Sequence, residues 1–154
     1  DTGSTEIIDA SGCLVMPGLI EAHCHVGITE EKKGMEGDDC NENVSPVTPW
    51  LRAIDAVNTM DAAFDDAVRA GITSIMAGPG SSNVVGGQFA FIKTKGRRID
   101  DLIVKAPAAM KIAFGENPKV NFSRKNPRLP EWPSRESCGR SSIRPYNTVR
   151  KKCA

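Results

Sequence analysis

Residues 15–27, VMPGLIEAHCHVG, limit what this chain can fold into more than any other stretch. Pro17-Gly18 interrupts whatever precedes it, because proline lacks the N–H that a ladder needs and glycine accepts turn conformations. Beyond it the residues alternate: Ile20, Ala22, Cys24 and Val26 fall on one side, and Leu19, Glu21, His23 and His25 on the other. A period of two belongs to a half-buried β-strand, so the spacing predicts one apolar face and one polar face here. The polar face carries the only two histidines of the chain, His23 and His25. Two imidazoles on one strand face are near enough for their ring nitrogens to reach one cation, and neutral imidazole suits zinc, iron, manganese or nickel. Ordinary hydrogen bonding would satisfy the same pair, and a catalytic zinc takes more than two protein ligands.

The flanking sequence sets the context of that strand. TEIIDASGCLVMPG places β-prone pieces, Glu6 to Asp9 and Cys13 to Met16, on either side of an Asp-Ala-Ser-Gly turn, which predicts a hairpin. Residues 28–49 are acidic and without a sustained period, and predict a long solvated surface loop directly after the histidines. Asn58 has helix N-cap chemistry with Asp61 as a box-like partner, and Met60, Phe64, Ala67 and Val68 mark one helical face ending at Gly71. ITSIMAGPG (72–80) predicts a buried strand entering a glycine-rich turn, followed by a loop, a short strand and a polar turn through residue 101. APAAMKIAFGENP (106–118) separates Met110, Ile112 and Phe114 from Ala109, Lys111 and Ala113, as a second such strand does. Strands alternating with a helix predict parallel α/β units, although the last crossover lacks a clear helical pattern.

Several function classes find no support. The longest apolar stretches are broken by glycine, proline or charge well short of the roughly 20 residues of a membrane span, so no membrane partner is expected. Five cysteines form no CxxC pair, which predicts reduced thiols and a cytoplasmic setting. GPGSSNVVGGQ could cradle a phosphate, yet no P-loop Lys-Ser/Thr follows. The acidic loop with Glu30, Glu31, Glu36, Asp38, Asp39 and Glu42 lacks the alternating order of an EF-hand. Arg97-Arg98 is the kind of scattered surface charge that needs no ligand. Lys111, on the side of its strand away from the large apolar residues, could be a carbamylation site, a substrate contact or a strand-end charge reaching solvent.

Composition matters because it changes along the chain. The 154 residues carry a net charge of +1, yet residues 1–123 hold 11 basic and 17 acidic side chains, while residues 124–154 hold 9 basic and 2 acidic. That last segment, with four prolines and no amphipathic period, cannot readily build a core. A basic nucleic-acid arm would need more stacking aromatics than Trp132 and Tyr146, and no nucleic-acid partner is expected. Translation out of frame is the other explanation: permitted codons for Glu131 to Cys153 allow MAIAGILREELYQAIQYGKKKM, an amphipathic helix, in a shifted frame.

MPGLIEAHCHVG resembles the PGLIDxHxH signature of the amidohydrolase superfamily, especially its imidazolonepropionase-related branch, and the similarity extends through AGITSIMAGPGSSNVVGGQFAFIKTKGRR to MKIAFGENPK. The resemblance implies an α/β fold: a partial (β/α)8 TIM-type barrel preceded by the end of a small β-sandwich. Residues 1–17 would end the sandwich, 18–123 would supply the first barrel elements, and 124–154 would lie outside the fold. It implies His23 and His25 as the first two ligands of a divalent metal, zinc above all, and metal-assisted hydrolysis of C–N bonds in an amide, cyclic amide or peptide-like small-molecule substrate. The family takes further ligands and a proton-moving aspartate from later strands. This chain has no third histidine and its family-like sequence stops near Lys119, so no catalytic residue is assigned and the chain alone is expected to be an inactive fragment. Its start at Asp1, without methionine, is read the same way. The alternative is a non-catalytic metal-binding or interaction module that keeps the His-x-His pair. Oligomeric state is left open.

Overall fold

A computed structural model describes residues 6–31 and 33–123. The basic segment from Arg124 onward, its nucleic-acid or out-of-frame reading, and the first five residues lie outside that description. The described residues form a mixed α/β fold around one four-stranded sheet of order β1-β2-β3-β4.

The strand β1 covers Leu19–Cys24 and pairs in parallel with β2, Ile72–Ala77, with Leu19 opposite Ile72 and Cys24 opposite Ala77. A parallel pair requires a crossover, and the helix α1, Ala62–Arg69, supplies it. Phe64 and Ala67 of α1 are buried against the sheet, whereas Met60 and Val68, expected on the same face, are exposed. The helix begins later than expected, with Asp61 at the N-cap rather than Asn58. Asn58 is engaged elsewhere: its Oδ1 accepts from Met60 N at 3.0 Å and its Nδ2 donates to Glu30 Oε2 at 2.7 Å. The helix stops at Gly71, whose φ of +81° is the left-handed conformation that favours glycine.

The sheet then reverses direction. Strand β3, Val85–Lys93, runs antiparallel to β2, and β4, Ile103–Ile112, runs antiparallel to β3. This corrects the expectation of parallel units throughout. Only seven residues separate Ala77 from Val85, fewer than the dozen or so a crossover needs, so the chain must turn back. A short helix α2, Ile99–Leu102, leads into β4, and α3, Glu116–Ser123, follows it. Between β1 and α1 lie single 3-10 turns at Gly34–Gly37 and Ala53–Asp55.

The core lies where α1 and the long β1–α1 connection cover one sheet face, with Ile28, Cys40, Ala53 and Phe64 packed on Ile75, Ala77, Ala90, Ile92 and Leu102. The connection lies mostly on the surface, as its charge suggested, but Ile28, Gly37, Cys40 and Thr48 are buried and anchor it. Thr48 N donates to Val85 O at 2.8 Å and Gln88 N to Leu51 O at 2.8 Å, tying it to β3. Part of its acidity is structural: Asp38 Oδ1 accepts from Cys40 N, and Glu42 Oε1 from the backbone N–H groups of Asn43 and Val44.

The N-terminal hairpin does not form. Its turn is present, with Asp9 Oδ1 accepting from Ser11 N and Oγ at 2.9 and 2.6 Å, but no strand flanks it and Ile7, Ile8, Leu14 and Val15 are exposed. Two short strands without a surface to cover are marginal in water. Among the described residues no helix is long and apolar enough to cross a membrane.

Candidate metal site

Alternation along β1 is kept at its C-terminal end, whereas Ile20 and Ala22, expected on the buried apolar face, are exposed. Cys24 and Val26 turn towards the core, and His23 and His25 turn the other way. Cys24 Sγ lies 3.7 Å from Met76 O, and burial pushes its thiol pKa up. His23 is exposed on the strand, while His25 stands just beyond the end of β1 and is half-buried. Their ring centroids are 5.2 Å apart with planes at 79°.

His25 is held by the main chain of the neighbouring strand. Its Nδ1 lies 2.7 Å from the carbonyl oxygen of Gly78, one residue past the end of β2. A carbonyl only accepts, so Nδ1 carries the proton, and in a neutral ring Nε2 then keeps a free lone pair. Such an outer hydrogen bond orients a histidine as a metal ligand. A second link, Gly78 N to Cys24 O at 3.2 Å, fixes the carbonyl. Residue 78 has to be glycine, because a Cβ there would overlap the ring of Phe89. That ring in turn stacks at a tilt on His23, with centroids 5.6 Å apart.

Lys111 completes the group. Its Nζ lies 3.3 Å from His23 Nε2, although β2 and β3 stand between their strands. Three strand spacings span roughly 14 Å in a flat sheet, a gap that these two long side chains reach across. An ammonium here donates into the same lone pair that a metal would use.

The fold thus gathers His23, His25 and Lys111. Gly78 and Phe89 also belong to the site, and the only sequence signal for them is the strand-to-glycine transition MAGPG. The other motifs remain apart: Arg98 pairs with Asp100 at 3.4 Å, and Glu30 and Asp38 hold loop groups. Among the described residues no group of three or more His, Cys, Asp or Glu side chains is placed to hold a metal ion.

No protein-family model matches the chain. The chain is 34% identical over 125 residues to the amidohydrolase tasK of Hapsidospora irregularis, covering 73% of this chain and 13% of that protein. Over 24 residues it is 71% identical to a 5-methylthioadenosine/S-adenosylhomocysteine deaminase of Halobacterium salinarum, covering 16% of this chain and 6% of the deaminase. A crystal structure of an amidohydrolase from Thermotoga maritima MSB8 superposes with a TM-score of 0.76 at 42% identity, covering 81% of this chain and 33% of that one. The chain therefore spans a third or less of each of these relatives, and over that span it is similar to amidohydrolases in sequence and in fold.

Proposed function

We propose that the chain contributes the first metal-binding strand of a metal-dependent hydrolase that cleaves C–N bonds in an amide, cyclic amide or peptide-like substrate. His23 and His25 would hold a divalent cation, zinc in the first place, and the parent protein would be a (β/α)8 barrel of the imidazolonepropionase-related branch. The observation that carries this reading is the Nδ1 hydrogen bond of His25 to Gly78 O, which leaves Nε2 bare on the face it shares with His23. The α1 crossover between parallel β1 and β2 also supports it.

When bound, such a cation lowers the pKa of water and polarises a scissile carbonyl. The contributions of this chain are positional. Gly78 O fixes the tautomer and plane of His25, Phe89 limits the swing of His23, and Lys111 brings a positive charge to the same face. Two histidines fall short of the ligand set of a catalytic zinc, so these residues alone are expected to bind metal without turnover.

Zinc titration of the chain, compared with His23→Ala and His25→Ala, tests the reading alongside an amide-hydrolysis screen. Stoichiometric zinc lost in both variants supports it. Zinc binding that survives both substitutions sinks it, and turnover by the pure chain overturns the expected inactivity.

A further inference from the structure

A cavity of about 260 Å³ opens next to the end of the histidine strand, between the β1–α1 connection and the ends of β2 and β3, and neither imidazole lines it. Three links place it there. Ile28, in its wall, donates its N–H to His25 O at 2.9 Å. Pro79, also in the wall, follows the carbonyl that anchors His25. Gly86 packs on Lys111, whose Cγ would lie 3.3 Å from a Cβ at residue 86. No contact within the histidine site fills this space.

The lining defines what fits. Ile28, Cys40, Leu51, Ala53 and Pro79 make it mainly apolar, and a group entering it gains roughly 25 cal/mol for each Å² of apolar surface removed from water. The charged residues of the lining are Asp39, Glu42, Arg52 and Asp55. Arg52 and Asp55 neutralise each other through a salt bridge of 2.7 Å. Asp39 and Glu42 are left as a net negative charge. The side chain of Asp39 has no hydrogen-bond or ion-pair partner among the described residues, whereas Glu42 is oriented by the N–H groups of Asn43 and Val44. An anionic group is repelled from such a rim, and a cationic one is attracted.

We propose that this cavity receives an apolar, amine-terminated group of the substrate, its hydrocarbon part against Leu51 and Ala53 and its ammonium facing Asp39 and Glu42. The assignment rests on reading the histidine pair as the reaction centre, and it adds the chemical class of the group bound next to it.

The test uses the full chain without metal and follows backbone amide NMR shifts during titration with hexylammonium, hexanol and hexanoate. Hexylammonium is expected to shift the amides of Cys40, Ala53, Ala56 and Gly86 saturably, with an affinity about tenfold above that of hexanoate. Asp39→Asn combined with Glu42→Gln leaves the apolar wall intact and is expected to bring hexylammonium down to the level of hexanol. Equal binding of the ammonium and the carboxylate, or shifts scattered outside the cavity, overturns the proposal. Zinc titration reports on the histidines separately. Saturable shifts without zinc binding would uphold the cavity's ligand class and overturn the reading of its neighbour, and zinc binding without shifts would do the reverse.

Discussion

At the scale of single residues, the contact between Lys111 and His23 makes a claim that can be measured. A cation on Nζ and a cation on Nε2 compete for one lone pair and repel each other. Lys111→Met is therefore expected to tighten zinc binding by about fivefold or more, roughly 1 kcal/mol for a partly solvated pair of charges. Calorimetric titration checks this, and weaker binding in the variant would mark Lys111 as a contributor to the metal site. Cys24, between the two histidines, has a thiol pKa raised by burial. A group whose folded pKa is raised stabilises the fold below its unfolded value, about 8.5 for a thiol, and that contribution is lost as pH rises through the folded value. Stability measured by urea unfolding should thus decline above about pH 8.5, and Cys24→Ala should flatten that limb. The histidine pair was legible in the sequence because alternation along a strand is a local property. Gly78 O and Phe89 were not, since one is a main-chain atom and the other arrives from a different strand.

Elements were legible in kind more than in direction. The crossover helix α1 was readable from its apolar spacing and its terminal glycine, and Phe64, 4% exposed, is its anchor in the core. Phe64→Ala should cost about 3–5 kcal/mol of stability, the range for emptying a buried aromatic site, and a denaturant midpoint shift will measure it. The true cap was missed because Asn58 and Asp61 both have capping chemistry, and only the packed loop decides between them. Asp61 Oδ1 is itself taken by Glu31 N at 3.0 Å, which holds the connection and not the helix. Strand order misled for a different reason. The pattern of buried strands and short turns fits parallel and antiparallel pairing alike, and the deciding quantity was the length of the link between β2 and β3. The loop of residues 28–49 is on the surface as its charges predict, but its anchoring was not legible, because a few buried side chains, Ile28, Cys40 and Thr48, settle its place.

At the scale of the whole molecule, the sheet joins two kinds of connectivity. The meander β2-β3-β4 is built from neighbours in sequence, whereas His25 meets Gly78 across 53 residues. Closing a long loop costs chain entropy before any contact repays it, so sequence-local pairings form more readily. The docking of β1 should accordingly be a late event in refolding, and with it the histidine pair. Stopped-flow refolding with a zinc-sensitive dye would then show metal capture lagging the far-ultraviolet circular dichroism signal, and simultaneous recovery would count against this order. On the proposed reading, the parallel pairing of β1 with β2 thereby gains a kinetic meaning: metal capture would serve as a clock for the last step of folding, and any chain caught before that step would lack the pair.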